Sequence, residues 1–506
     1  MRKILLGLAL PVVLAGCDLG PGPVKPTIQV PTQWDATTAH DSAAVWPAPD
    51  WWKSFGSAEL DGLIAEAKAN NLDLAAAAAR VQQAEAQLRV SGSSLWPMVS
   101  LGTDLRQRGP VDDGTLIEGS NRKKSSSLSS DLSGGSSGST SGGGGGSSTS
   151  QRSSLEVSLT ASYELDFWGR NHDNVEAARQ QLNASTFDRE TVALTVTSGV
   201  ASTYLQVLTL KDRIALAQQN LVNAQQVLKV VEAKARDGAV SGLDLAQQRS
   251  QVASQQAAIP PLQLQEKQAM NALALLLGRN PEGFAVKATG LGGITLPTPG
   301  AGLPSGLLRR RPDIQEAEAN LAAANANLLA ARAAMLPTVD LSSSLNLEAI
   351  ATSLTFGGVG AAYSAAASLA QPIFDAGNLK AQKDVAQGKQ LELVQTYRST
   401  ILTALSDVEN ALASVDSLMT QQQFQAAQTE QAQKALTIAQ VQYKAGSTEL
   451  LPVLDAQRTL FQAQDQQASL SLSQLQAAVA LYKALGGGWQ GSNATKVATI
   501  AATTAD

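Results

Sequence analysis

The chain has little of what catalysis, metal binding or nucleic-acid binding requires. Its 506 residues include one cysteine and two histidines, and neither His40 nor His172 has the spacing of a metal-ligand set around it. The sequence contains no nucleophile elbow and no phosphate-binding loop. Charged residues make up only 16% of the chain, and the net charge is −5, which argues against a nucleic-acid partner. We therefore expect no enzyme activity, no cofactor, no metal and no nucleic acid.

Long hydrophobic runs are also missing, except for a short one at the amino terminus. Arg2 and Lys3 precede an apolar run that leads into Ala15-Gly16-Cys17, which is the residue order of an export signal. We predict a signal peptide at 1–16 and a lipid-modified Cys17 that opens an N-terminal segment at 17–56; the alternative is an ordinary buried thiol. No later run reaches about 18 apolar residues, so the sequence predicts no transmembrane helix.

The chain repeats itself with a nearly fixed offset. Trp96-Pro97 and Leu336-Pro337 are 240 residues apart, whereas Leu277-Gly278 and Leu485-Gly486 are 208 apart. The difference of 32 residues places an insertion in the first copy, where Ser and Gly dominate. We predict an internal duplication. Its parts are a first repeat at 57–280 with a Ser/Gly-rich loop at 109–154, a linker at 281–304, a second repeat at 305–488 and a tail at 489–506.

Each repeat contains two segments with the period of a β-strand. Apolar and polar residues alternate at 99–106, 155–167 and 338–348, and a weaker, alanine-rich segment lies at 363–373. Strict alternation indicates a strand with two different faces. Each segment has the roughly 10 to 13 residues that a tilted strand needs to cross a bilayer, although a half-buried hairpin of a soluble protein has the same pattern.

Each repeat also contains a very long segment without proline. Residues 169–236 and 378–445 are rich in Ala, Gln, Leu and Val, and each predicts a helix of about 100 Å. Shorter helices are predicted at 57–91, 243–277, 312–336 and 450–485, with an interruption and a kink at Pro260-Pro261. Such helices suit a wall or a hollow cylinder better than a compact domain.

Four motifs together carry a resemblance to a known family. They are Leu14-Ala15-Gly16-Cys17, the Tyr-Glu-Leu-Asp-Phe-Trp-Gly-Arg run at 163–170, the Leu-Arg-Arg-Arg-Pro-Asp-Ile run at 308–314 and the segment from Leu481 to Trp489. With these motifs the chain resembles the outer-membrane factors of the TolC and OprM type. Within that type it resembles the lipoprotein branch that serves resistance-nodulation-division (RND) efflux systems.

The resemblance implies an α+β membrane protein that works as a homotrimer. Four strands from each chain would close one shared 12-stranded transmembrane β-barrel, which continues into a periplasmic α-barrel of 12 helices. It further implies a lipid-anchored channel in outer-membrane lipid, with a periplasmic membrane-fusion adaptor and an inner-membrane RND pump as partners. The channel would pass small molecules passively and would be gated at its periplasmic tip.

The resemblance places the gate where the second long helix turns back. The implied gate residues are Leu451, Asp455, Tyr443 and Arg458, and the implied supporting residues are Asp244, Gly238 and Gly446. Ser241 or Asp244 is expected to begin the returning helix of the first repeat. Some family members have a second acidic residue where this chain has Pro452, and without the resemblance Asp455 reads as an ordinary acidic residue near a helix amino terminus.

Two other functions remain open from the sequence. The same scaffold serves channels for type I protein secretion, and a lipid-anchored helical stalk would also use long helices. The alternating strands argue against the stalk, and the lipid-acceptor motif favours efflux. Asp18 follows the acceptor cysteine and in some bacteria marks retention in the inner membrane, which we expect a barrel to override.

Overall fold

The computed structural model describes residues 31, 34–35, 47–108, 152–297, 304–352, 355–487 and 489. The signal peptide, Cys17, Asp18, most of the Ser/Gly-rich loop and nearly all of the tail lie outside the described residues. The chain divides into two compact units. One comprises Met1–Ser91, His172–Ala333 and Gly377–Asp506, and the other comprises Gly92–Asn171 and Ala334–Ala376.

The second unit is built around a four-stranded antiparallel sheet with the order β1-β2-β3-β4. Its strands are β1 (Met98–Arg108), β2 (Arg152–Leu165), β3 (Thr338–Thr352) and β4 (Thr355–Ala370). The register sorts the alternating residues into an apolar and a polar face. One apolar row is Leu101, Leu159, Leu345 and Tyr363, and one polar row is Ser100, Thr160, Ser344 and Ser364.

The fourth strand differs from its predicted position. It was expected at 363–373, but β4 begins at Thr355 and ends at Ala370. The strand cannot continue its ladder far beyond Ala370 because Pro372 has no N–H group. Its beginning was obscured because alanine and glycine give a weak alternation.

The helical unit contains the two long helices, and their predicted bounds are confirmed to within one residue. These are α3 (Arg170–Arg236) and α7 (Asn378–Lys444), each of 67 residues and therefore about 100 Å long. The shorter helices are α1 (Ala58–Asn70), α2 (Leu72–Ser93), α4 (Gly242–Leu276), α5 (Leu307–Arg310), α6 (Pro312–Ala333) and α8 (Leu451–Ala484).

Two of the short helices depart from the prediction. The single helix expected at 57–91 is broken at Asn71, whose extended backbone ends α1 and whose side-chain Oδ1 accepts from Leu74 N at 3.0 Å to begin α2. By contrast, α4 continues through Pro260 and Pro261, so the predicted interruption is wrong. The proline ring fixes φ near its helical value, so the two prolines remove backbone hydrogen bonds without ending this helix. A kink there stays a prediction.

The main core of the helical unit lies where short helices and aromatic residues meet α3. Trp51 stacks on Tyr482 with ring centroids 4.9 Å apart, and Phe55 is completely buried beside them. Among the described helices, only α3 is long and apolar enough to cross a membrane, and half of its most apolar 18-residue window is buried within the chain. A buried core helix has the same properties, so this finding makes no membrane assignment.

Candidate functional site

Both long helices end in a glycine turn and reverse direction. Gly238 follows α3 with φ of 70°, and Gly446 follows α7 with φ of 79°. In each turn the residue after the glycine donates its N–H to a carbonyl in the last turn of the helix. Ala239 N donates to Lys234 O at 2.9 Å, and Ser447 N donates to Gln442 O at 3.0 Å. This is the hydrogen bond of a Schellman-type end, for which glycine is the favoured residue.

The returning helix of the first tip begins with a capping box. Ser241 Oγ accepts from Asp244 N at 3.2 Å, and Asp244 Oδ2 accepts from Ser241 N at 3.0 Å. The expectation that Ser241 or Asp244 begins this helix is therefore confirmed, and both do so. The second tip has no such side-chain cap, and Pro452 stands in the first turn of α8, where proline is tolerated.

Tyr443 is the predicted gate residue that joins different helices. Lys234 Nζ, at the end of α3, donates to Tyr443 O at 2.5 Å and lies 4.2 Å from the centre of its ring. The side chain is buried, with 4% exposed, and its hydroxyl has no hydrogen-bond partner among the described residues. Burial raises the pKa of the phenol, and the Asp244 carboxylate raises it further.

The other predicted gate residues lie on the surface of α8. Leu451 is 54% exposed, and Asp455 stands four residues later, on the same side of the helix. Arg458 donates from Nη2 to Asp455 Oδ1 at 2.9 Å in an exposed pair, which contributes at most about 1 kcal/mol to stability. In this chain Asp455 therefore pairs with Arg458, while Leu451 presents an uncovered apolar side chain.

A small apolar core supports the second tip from inside the helical unit. Leu450, just before α8, and Val453 of α8 are buried in one cluster with Val231 of α3 and Leu436 of α7. The buried Leu450 and Val453 fix the rotation of α8, and the exposed face with Leu451 and Asp455 follows from that rotation.

The sequence did not predict the contact of Lys234 with Tyr443. The position of Lys234 in the last turn of a helix is a usual place for a basic residue, so nothing in the local sequence marks it. Its partner Tyr443 is 209 residues away, and only the packing of α3 against α7 brings the two together. Among the described residues no group of His, Cys, Asp or Glu could hold a metal ion.

Comparisons with known proteins give one consistent result. The family model described as outer membrane efflux protein matches residues 63–279 and 303–487. The pyoverdine export outer membrane protein OpmQ of Pseudomonas putida is 43% identical over 495 residues, covering 97% of this chain and 98% of its own length. The cation efflux system protein CusC of Escherichia coli O6:H1 is 33% identical over 491 residues, covering 96% and 99%.

A solved structure of CusC has a similar fold. Its TM-score is 0.78 at 29% identity, covering 93% of this chain and 100% of that chain. The similarity therefore extends over nearly all of both chains.

Proposed function

The chain belongs to the outer membrane efflux protein family, and we propose that three copies of it form one gated duct through which molecules leave the cell. The observation that carries this proposal is the pair of open sheet edges, since β1 pairs only with β2 and β4 only with β3 among the described strands. A bilayer offers no hydrogen-bond partner to an open edge. Three copies would pair these edges and close a barrel of 12 strands above a barrel of 12 helices.

The two faces of the sheet support the same arrangement. The row of Leu101, Leu159 and Leu345 suits contact with lipid, whereas the facing carboxylates Asp104, Glu156 and Glu348 suit a water-filled lumen. Like charges directly opposite each other lower the stability of a sheet unless water surrounds them. The outer membrane is the location of this family, and lipidation at Cys17 would add an anchor there.

We place the gate at the second tip. Three-fold symmetry would bring three copies of Leu451 and three of Asp455 near the axis, giving an apolar ring and an acidic ring. Arg458 would hold Asp455 in the closed state, and the Tyr443–Lys234 contact would keep α7 against α3. Docking of a periplasmic adaptor and an inner-membrane RND pump would open the tip, and substrate would then leave without ATP hydrolysis in the channel.

We test the gate by single-channel conductance in planar bilayers. Leu451→Ala and Asp455→Ala should each raise the open probability of the undocked channel severalfold, because each removes one ring of the constriction. Leu264→Ala is the matched control, since Leu264 is 59% exposed but lies midway along α4. Unchanged opening in both single variants and in the double variant would contradict this gate, and the absence of pores from a folded trimer would contradict the duct itself.

For the cargo we propose an iron-chelating siderophore of the pyoverdine class. OpmQ of Pseudomonas putida is named for pyoverdine export and shares 43% identity with this chain, whereas the CusC relative named for cation efflux shares 33%. Deleting the gene in its own host should lower siderophore in the medium under iron limitation and leave tolerance to toxic metal cations unchanged. Restoring the gene should restore secretion. Normal secretion combined with sensitivity to toxic metal cations would instead assign the channel to cations.

A further inference from the structure

A small cavity lies behind the second tip, between α3, α7 and α8. Its volume is about 190 Å³. Its polar lining comes from Asn223 and Gln226 of α3 and from Gln440, Tyr443 and Lys444 of α7, and Val453 of α8 belongs to its apolar wall. The volume is that of about six water molecules and is below the roughly 300 Å³ at which drug-sized pockets begin. The cavity therefore has room for a molecule with at most one ring.

Tyr443 gives the cavity an unsatisfied hydrogen-bonding group. The residue is 4% exposed, and its hydroxyl is buried without a partner among the described residues. A buried hydroxyl without a partner loses free energy relative to one that is hydrogen-bonded, so a ligand that accepts from it would recover that loss.

The charges around the cavity favour an anion. Lys444 lines it, and Lys234 lies against the Tyr443 ring and donates to the Tyr443 carbonyl oxygen. The acidic group that acts on Tyr443 is Asp244, and its carboxylate already accepts from Ser241 N and Ser241 Oγ. Lys234 and Lys444 therefore lie at or beside the cavity, whereas the Asp244 carboxylate already accepts hydrogen bonds in a helix cap.

We propose that this cavity binds a small organic anion, such as an aromatic carboxylate with a single ring. The carboxylate accepts from Tyr443 Oη and Lys444 Nζ, the amides of Gln226 and Gln440 complete its hydrogen bonds, and the ring lies against the valines. Such a ligand connects α3 with α7. If the proposed function holds, the bound anion keeps the tip closed, but binding itself does not depend on that function.

The test uses the full-length protein purified in detergent and 4-fluorobenzoate as the probe, followed by fluorine NMR. Binding should saturate and should weaken about tenfold or more in Tyr443→Phe and in Lys444→Gln, because each loses one hydrogen bond to a charged group. Lys434→Gln is the matched control, since Lys434 is an exposed lysine of α7 that pairs with Glu430 at 2.6 Å. It should bind as the parent does.

Two competing ligands and one further variant test the specificity of binding. Benzylammonium should not compete, and benzamide should compete weakly. Gln226→Leu replaces a hydrogen-bonding amide of the lining with an apolar side chain of similar size while leaving the gate residues in place, and it should weaken binding. No binding by the parent, equal binding by all variants, or equal competition by benzylammonium would overturn the proposal. Because NMR reports binding alone, a channel that fails to conduct would not affect this outcome.

Discussion

Burial, together with the carboxylates of Asp188 and Asp313, raises the pKa of Glu316, on α6, to about 7. Arg80 opposes the shift, but it already forms an ion pair with Asp188, and Arg311 pairs with Asp313 at 2.6 Å. The pKa of Glu316 in the folded chain therefore lies above its ordinary value of 4.5. The folded state then holds the proton more tightly than the unfolded state, so the contribution of Glu316 to stability is greatest below about pH 4.5 and is lost as pH rises through 7.

Glu316→Gln removes this ionisation with little change of shape. At pH 8 the variant should be more stable than the parent by about 1 kcal/mol, a value reduced for the partial exposure of the site. At pH 5 the two should differ little, since most of the parent's glutamate is then protonated. Thermal unfolding followed by circular dichroism at both pH values measures the difference. Glu85→Gln, at an exposed position of α2, is the control, and an equal gain at pH 5 and pH 8 would contradict the assignment.

The two predicted repeats share one kind of contact, in which a side chain next to the start of one helix donates to a carbonyl at the end of another helix. Asn71 donates from Nδ2 to Leu276 O at 2.8 Å, and Arg311 donates from Nη1 to Ala484 O at 3.2 Å. Next to these bonds stand Gly278 and Gly486, with φ of 68° and 87°. A Cβ on either glycine would lie 2.3 Å from a backbone oxygen, that of Asn70 or of Arg310. Both glycines are therefore required for conformation and for space.

These two requirements can be separated by a matched pair of variants. Gly238 has φ of 70°, close to the 68° of Gly278, but a Cβ there meets nothing within 4 Å. Gly238→Ala should cost about 1 to 2 kcal/mol for the left-handed backbone alone. Gly278→Ala should cost at least about 2 kcal/mol more, because backbone must move to admit the methyl group. Thermal unfolding of both variants measures the costs, and equal losses would show that the close approach to Asn70 O is not a constraint.

Elements with a strong local pattern were predictable, and contacts between distant segments were not. The bounds of α3 and α7 follow from long proline-free composition, and Ser241 with Asp244 follows from a local capping motif. The break at Asn71 was missed because an asparagine in an alanine-rich segment does not by itself end a helix. The positions of the candidate gate residues came from the resemblance, whereas the contact of Tyr443 with Lys234 depends on tertiary packing.

At the scale of the whole molecule, the 32-residue difference between the predicted repeats falls in one connection. The β1–β2 ladder extends to the pair of Arg108 and Arg152, and the Ser/Gly-rich loop joins these two residues. The ends of the loop are thus already as close as neighbouring strands, about 5 Å. A hairpin can be closed by as few as two residues. The insertion is therefore longer than the sheet requires.

Deleting 125–150 should leave folding and trimer assembly unchanged. The remaining residues, 109–124 and 151, exceed what is needed to join Arg108 to Arg152, and a shorter loop has a lower entropy cost of closure. Size-exclusion chromatography with light scattering measures the assembly of the detergent-solubilised protein. Leu159→Pro, in the middle of β2, is the disruptive control, because β2 pairs on both sides and proline removes a ladder bond. If the deletion protein were monomeric while the parent is trimeric, the loop would contribute to the subunit interface, and closure of the barrel would depend on more than the strand edges.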